Sequence, residues 1–149
     1  MLDIYVDGDA CPVKDEVVRV AARYSLHVIM VSNRGLREAL GPNVKSIMVG
    51  PEFDAADNWI VEHLGDRDIV VTADIQLAAH CLKKGAKALG PNGHIFSLDN
   101  IGSALAMREL KAYLREAGTS KGFNAAFTKK DRSQFLQSLD LLIQKIRQT

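Results

Sequence analysis

The sequence lacks the features that mark membrane, secreted and zinc-binding proteins. Among its 149 residues, no apolar run approaches the roughly 20 residues of a membrane helix, so we expect no association with a membrane. Asp3 and Asp7 fall where a secretory signal would be apolar, which predicts a cytoplasmic protein. The two cysteines, Cys11 and Cys81, form no C-x-x-C pair or Cys/His cluster, which argues against a structural zinc site.

Aromatic residues are also scarce, at 6% of the chain, which argues against extensive base stacking on the protein surface. The remaining composition is that of a globular protein, with 47% hydrophobic and 25% charged residues. The length suits one domain with a sizeable core. We therefore predict a single domain over 1–149, in which 119–149 is a basic C-terminal extension packed on the rest.

Charge is divided unequally along the chain. Residues 1–107 contain 10 Lys and Arg against 14 Asp and Glu, whereas residues 108–149 contain 9 against 4. An acidic site beside a basic flank suits a phosphodiester substrate. Solvated basic faces on the last helices would give the same count, so both interpretations stay open.

Strand-like and helix-like segments alternate. Apolar, β-branched runs predict strands at 2–6, 26–31, 44–49, 68–72, 86–89 and 94–97. Apolar periodicity predicts helices at 12–24, 36–40, 53–64, 74–84 and 101–117, and a last helix after Thr128, with Asp131 in the capping-box position. This alternation indicates a three-layer α/β/α fold with a mainly parallel central sheet and an added C-terminal helix.

The first predicted strand ends on two carboxylates. The segment IYVDGD at 4–9 brings Asp7 and Asp9 to the carboxyl end of the strand, which is where parallel α/β sheets bind ligands. Two carboxylates this close repel each other unless a cation or a proton lies between them. The segment therefore predicts a divalent-metal or phosphoryl-transfer site, with a solvated Asp-Gly turn as the alternative.

Two further aspartates follow strands. Asp74 comes after the strand at 68–72, and Asp99 comes after the short strand at 94–97. If these strands are parallel to the first, their carboxyl ends meet at one edge of the sheet. Each aspartate would also serve as a helix N-cap, so the catalytic and the capping interpretations both stay open.

Another pair of carboxylates lies on a helix. Asp54 and Asp57 stand three residues apart and share a face, which we expect to lie largely opposite Ile60 and Leu64. Hard cations such as Mg²⁺ and Mn²⁺ prefer several carboxylate ligands plus water. Two such ions about 4 Å apart activate a water and stabilise the leaving oxygen in phosphodiester cleavage. Together these segments predict a hard-cation site.

Four stretches of the chain form a distinctive set: DGDACPVK at 7–14, DAADNWI at 54–60, VTADIQLA at 71–78 and GFNAAFT at 122–128. With these stretches the chain resembles the bacterial YaiI/YqxD family. The resemblance covers essentially the whole chain.

The chain is also similar to the broader PIN-like nuclease fold. In that fold an aspartate ends the first strand, an acidic residue lies on a middle helix, and Thr-x-Asp-x-x-Leu follows a later strand. Asp7, Asp57 and the segment TADIQL at 72–77 match these positions. Asp54 competes with Asp57 for the middle position, and Asp9 is an additional carboxylate.

The resemblance implies Mg²⁺- or Mn²⁺-dependent hydrolysis of RNA or single-stranded DNA. In this interpretation Asp7, Asp57 and Asp74 hold the metal, and Asp9 or Asp99 orients it or the attacking water. The candidate catalytic residues are Asp7, Asp9, Asp57, Asp74 and Asp99. The candidate metal ligands are Asp7, Asp9, Asp54, Asp57 and Asp74.

Candidate contacts to phosphate or nucleic acid lie near the same segments or in the basic C-terminal part. They are Lys14, Ser32, Arg34, Thr72, Lys129, Lys130 and Arg132. The hydroxyl of Ser32 or Thr72 would position a phosphate. For each basic residue, plain solvation is the alternative.

Two other functions fit the same residues. A haloacid-dehalogenase-like phosphohydrolase also has Asp-x-Asp after its first strand, with Asp7 as nucleophile and Asp9 as acid and base. Ser32 would supply its hydroxyl after the second strand, but Asp74 lacks the paired acid of that class. The other alternative is a non-catalytic RNA-binding or regulatory module.

Overall fold

The computed structural model describes residues 2–8, 11–33, 41–52, 54–102 and 127–148. Its strands and helices are, in chain order, β1 (Ile4–Asp7), α1 (Lys14–Arg23), β2 (Val28–Ser32), β3 (Val44–Met48), α2 (Ala55–His63), β4 (Ile69–Val71), α3 (Ile75–Lys83), β5 (Lys87–Leu89), β6 (Ile95–Phe96) and α4 (Lys129–Arg147).

The strands form one six-stranded sheet in the order β3-β2-β1-β4-β5-β6. The first five strands of that order are parallel, and β6 runs antiparallel to β5. This arrangement confirms the predicted α/β fold with a mainly parallel sheet. The antiparallel β6 follows from the short turn after β5, closed by a bond from Gly90 N to His94 O of 2.9 Å, because a parallel return needs a much longer connection.

Helices cover both faces of the sheet, as predicted for three layers. On one face, α1 and α4 pack Val17, Val20 and Phe135 against the strands. On the other face, α2 and α3 do the same with Ile60 and Leu77. Strands β1, β2 and β4 are buried on both sides, which explains why their sequences are nearly continuous apolar runs.

The predicted element bounds differ from those observed by one or two residues. One difference matters for the site, because Asp7 is the last residue of β1 rather than the first residue after it. The capping box that begins the last helix is confirmed, with reciprocal bonds between Thr128 and Asp131. The predicted helix at 36–40, and all but the first two residues of the one at 101–117, lie outside the described residues.

The connections around β1 define where a ligand would bind in such a sheet. From β1 the chain moves outward to β2 and β3, and it then returns to the other side of β1 to form β4 and β5. Ligands of doubly wound sheets bind at the carboxyl ends of the strands where the order reverses. That point lies between β1 and β4. In the described part of the chain, no helix is both long and apolar enough to cross a membrane.

Candidate functional site

The reversal point carries Asp7 from β1 and Thr72, which directly follows β4. Side chains alternate along a strand, so Tyr5 and Asp7 share one face of the sheet, and Val70 and Thr72 share the same face. Tyr5 and Val70 lie in the core beneath α2 and α3. Asp7 and Thr72 therefore lie on the α2/α3 side of the sheet, at its carboxyl edge.

Gly8 allows the chain to leave β1 close to the neighbouring strand. A Cβ atom at this position would lie 3.2 Å from the carbonyl oxygen of Val31 and 3.5 Å from Ser32 Cβ. The contact with the Val31 oxygen is tighter than nine in ten Cβ contacts, and glycine avoids it, whereas the distance to Ser32 is an ordinary one. The close approach keeps the end of β1, and with it Asp7, tight against β2.

Thr72 connects the ends of the two strands through its hydroxyl. It is 1% exposed, and its Oγ1 donates a hydrogen bond of 3.1 Å to Asp7 Oδ2. The same Oγ1 accepts a bond of 2.9 Å from the backbone N–H of Asp74. The hydroxyl that was predicted to position a phosphate is thus engaged with two of the candidate metal ligands.

Asp74 is the N-cap of α3. Its Oδ1 accepts bonds from the backbone N–H groups of Gln76, at 2.9 Å, and Leu77, at 3.3 Å. The capping interpretation is therefore correct. Asp74 also interacts with Asp57, because its negative charge is, after burial, the largest cause that raises the pKa of Asp57.

Asp57 completes a group of three carboxylates from three separate elements. It is half-buried in the first turn of α2. Burial raises the pKa of Asp57 to about 7, and the negative charges of Asp74 and then Asp7 act in the same direction. The hydrogen bond with Asp74 and the charge of Asp54 contribute less. Near pH 7, the Asp57 carboxyl is therefore only about half ionised, whereas an ordinary aspartate is fully ionised.

The two acids of α2 differ in position. Asp54 is exposed, and its side chain makes no capping bond although it stands at the N-cap of α2. The expectation that the Asp54/Asp57 face lies opposite Ile60 and Leu64 is wrong for Asp57. Residues three and seven positions apart share one stripe of a helix, so Asp57 lies on the same side as Ile60 and Leu64, toward the sheet.

The structure does not bring Asp99 to this group. Asp99 follows β6, whose carboxyl end points to the opposite edge of the sheet because β6 is antiparallel to β5. The prediction that Asp99 joins the other aspartates assumed a parallel strand, and it is wrong because β6 is antiparallel. Two other candidates, Asp9 and Arg34, lie outside the described residues.

The basic candidates approach the same edge from the other face of the sheet. Arg132 on α4 forms an ion pair with the buried Glu16 and donates a bond of 3.4 Å to Pro12 O, in the segment between β1 and α1. Lys129 and Lys130 are exposed in the first turn of α4. The start of α4 thus lies beside the segment that follows Asp7.

The remaining two contact candidates lie near this edge as well. Lys14 is half-buried at the first position of α1. Ser32 ends β2 and is 4% exposed, and strand alternation places it on the face opposite Asp7. A contact between either residue and phosphate stays a prediction.

The arrangement of the carboxylates bears on metal binding. Within the described ranges, no three or more His, Cys, Asp or Glu side chains are grouped so that they would hold a metal ion. One oxygen of each carboxylate is engaged in these hydrogen bonds, Oδ2 of Asp7 with Thr72 and Oδ1 of Asp74 with the first turn of α3. The donor set itself, all carboxylate oxygen with mutual repulsion, is of the kind that hard divalent cations take.

Sequence reasoning missed Glu16. Its side chain is 7% exposed, and its Oε2 has no hydrogen-bond partner in the described part of the chain. The pattern contained a signal, because Glu16 stands with Val13, Val17 and Val20 on the apolar stripe of α1. A charged residue at a core position predicts a partner of opposite charge, here Arg132.

Cys11 lies near the site but is not an activated thiol. Burial raises its pKa to about 11, and this effect outweighs the opposing influence of a backbone hydrogen bond and of Lys14. Cys11 packs against the core beneath α1 and α4. A nucleophilic role would require the opposite shift in pKa.

Comparison with known proteins gives a consistent family match. The model of the family described as "Uncharacterized BCR, YaiI/YqxD family" matches residues 5–145. A UPF0178 protein of Parvibaculum lavamentivorans is 56% identical over 147 residues, covering 99% of this chain and 97% of that protein. A UPF0178 protein of Agrobacterium fabrum is 53% identical over 144 residues, covering 97% and 94%. No solved structure matches the chain significantly.

Proposed function

The chain belongs to the YaiI/YqxD family, and we propose that it is a Mg²⁺- or Mn²⁺-dependent nuclease that hydrolyses RNA or single-stranded DNA. One observation carries this proposal. Asp7, Asp57 and Asp74 come from β1, the start of α2 and the start of α3, and they interact at the reversal point of the sheet. Three carboxylates this close repel one another and lower the stability of the fold, and such a cost favours a function that uses their negative charge.

The chemistry follows from the donor set. Asp7, Asp57 and Asp74 would hold the ion, which when bound polarises a phosphodiester and lowers the pKa of a water. Asp57 would give up its proton on binding, because a divalent cation offsets the negative charges that favour the protonated form. Lys14, Lys129 and Lys130 would contact the phosphates of the strand on either side of the cleaved bond.

The first test combines metal binding with cleavage. Mn²⁺ and Mg²⁺ are titrated calorimetrically into the wild type and into Asp7→Asn, Asp57→Asn and Asp74→Asn, and each protein is assayed on single-stranded RNA and DNA. Asparagine keeps the shape of each side chain and is a good N-cap, so Asp74→Asn preserves the start of α3. We expect loss of metal binding and at least about a 100-fold loss of cleavage in each variant.

Two variants serve as matched controls. Asp54→Asn and Asp99→Asn remove exposed carboxylates outside the group, and both should bind metal and cleave as the wild type does. Full cleavage by Asp7→Asn and Asp74→Asn would refute the assignment. Hydrolysis of a phosphate monoester without nuclease activity would favour the phosphohydrolase alternative, and binding of single strands without cleavage would favour the non-catalytic module.

A further inference from the structure

We propose that Thr72 is a positioning residue, which fixes the carboxylate of Asp7 and the first turn of α3 relative to each other through one hydroxyl group. The inference rests on the proposed function for its consequence in metal binding. Its basis is the pair of hydrogen bonds that Thr72 makes to the two candidate ligands.

The direction of the two hydrogen bonds is dictated by chemistry. A backbone N–H can only donate, so Thr72 Oγ1 must accept from Asp74 N. The hydroxyl has a single proton, which is then left for Asp7 Oδ2. The two hydrogen bonds therefore run from the Asp74 amide through the Thr72 hydroxyl to the Asp7 carboxylate, and their donors and acceptors cannot exchange roles.

The surroundings hold this hydroxyl in place. Thr72 is 1% exposed, and its backbone N–H donates a bond of 3.0 Å to Leu89 O on β5. A β-branched side chain has few χ1 rotamers, so little freedom remains for Oγ1. Thr72 therefore connects three elements: β5 through its backbone, and β1 and α3 through its side chain.

This geometry assigns Thr72 a different role from that of a phosphate ligand. Its proton and one acceptor position are already committed, and the residue is sealed from solvent. Outer partners that orient metal-binding carboxylates typically contribute 10- to 100-fold in metal affinity. We therefore expect Thr72 to act on metal affinity without touching metal or substrate.

The test compares two substitutions at this position. Thr72→Val keeps the shape but removes the hydroxyl, and Thr72→Ser keeps the hydroxyl. Calorimetric titration with Mn²⁺ alone should give an affinity at least about tenfold weaker for Thr72→Val, and within about threefold of the wild type for Thr72→Ser. In the metal-free protein, hydrogen exchange of the Asp74 amide should accelerate in Thr72→Val and not in Thr72→Ser.

Controls separate this role from general stability. Thr128→Val removes the capping hydroxyl of α4, which accepts from Asp131 N at 3.1 Å, and it should lower stability without changing Mn²⁺ affinity. If Thr72→Val binds Mn²⁺ as tightly as the wild type while Asp7→Asn loses binding, the inference about Thr72 is wrong and the proposed function still stands. A wild type that binds no Mn²⁺, or an Asp7→Asn variant that binds it normally, would overturn the proposed function and this inference with it.

Discussion

At the scale of single residues, Asp57 shows how the group of carboxylates affects folding. In the folded protein its pKa is about 7, raised from an ordinary value of 3.8 mainly by burial and next by the charge of Asp74. The unfolded chain therefore loses this proton at lower pH than the folded chain does. As pH rises from about 4 to 7, the folded state loses stability relative to the unfolded state.

Asp57→Asn should remove the loss of folding stability that the ionisation of Asp57 causes as pH rises. Because Asp57 is only half-buried, solvent reduces the effect, and we expect about 1 kcal/mol, or roughly 3 °C in Tm, above pH 7. The gain should be much smaller near pH 4, where the folded state keeps the proton and the unfolded chain has lost it only in part. Thermal unfolding in EDTA at pH 4, 6 and 8 measures this gain in stability, with Asp99→Asn as the exposed control. A gain that is independent of pH would contradict this account.

The two cysteines give a second prediction at this scale. Burial raises the pKa of Cys11 to about 11 and that of Cys81 to about 12, from an ordinary value of 9.0. Thiolate is the reactive form, so at pH 8 Cys11 should react with a disulfide reagent about 100-fold more slowly than in urea. A Cys81→Ala variant has Cys11 as its one remaining thiol, so its reaction rate with the reagent reports on Cys11. Rapid reaction of the native variant would indicate that Cys11 is accessible and ionised.

Sequence reasoning named Asp7 and Asp74 because the ends of apolar strands are visible in local pattern. It could not choose between Asp54 and Asp57, because that choice depends on the side of α2 that faces the sheet. The two roles of Asp74 could not be separated either, since an N-cap and a strand-end carboxylate have the same sequence signature. Only the contacts with Asp57 and Thr72 show that Asp74 is both a cap and a member of the group.

At the scale of elements, the contact of α4 with α1 connects the end of the chain to its beginning. Glu16 is buried, and Arg132 pairs with it while lying 5.0 Å from the centre of the Phe127 ring. Removing one partner of such a pair leaves an uncompensated charge. The pair lies next to Pro12 and therefore supports the segment between β1 and α1.

Arg132→Met should lower the free energy of unfolding by about 2 to 3 kcal/mol, somewhat less than for fully buried pairs because the Arg132 side chain is 42% exposed. Adding Glu16→Met should restore most of the lost free energy of unfolding, since the double variant has no unpaired buried charge at this contact. Urea unfolding measures both variants, with Lys129→Met as the exposed control. Equal losses in the single and the double variant would show that packing, rather than the charge, accounts for the effect.

No local pattern could have predicted this pair, because its two residues stand 116 positions apart. The order of strands and helices, in contrast, follows from periodicity. In the described part of the chain, the predicted bounds of these elements agree with the observed ones to within one or two residues. The direction of β6 was not predicted, because a two-residue strand has too little pattern to reveal it. That one error placed Asp99 at the wrong edge of the sheet.

At the scale of the whole molecule, acidic and basic residues meet at one edge of the sheet from opposite faces. The aspartates lie on the side of α2 and α3, and the start of α4 lies beside the segment after β1. Residues 108–149 contain 9 Lys and Arg against 4 Asp and Glu, although 108–126 are not among the described residues. A nucleic acid that reaches the aspartates would therefore pass the exposed Lys129 and Lys130.

Binding of a single strand should then depend on salt through these two lysines. Each phosphate contact contributes about 0.7 to the slope of log affinity against log salt for single strands, so Lys129→Gln/Lys130→Gln should lower the slope by about 1.4. Fluorescence anisotropy of a labelled RNA with Asp7→Asn as the parent avoids cleavage during the measurement. Lys83→Gln/Lys87→Gln makes the same change in charge at the opposite edge, at the end of α3 and the start of β5, and should leave the slope unchanged. If both pairs lower the slope equally, the basic residues act through net charge, and the strand has no fixed path across α4.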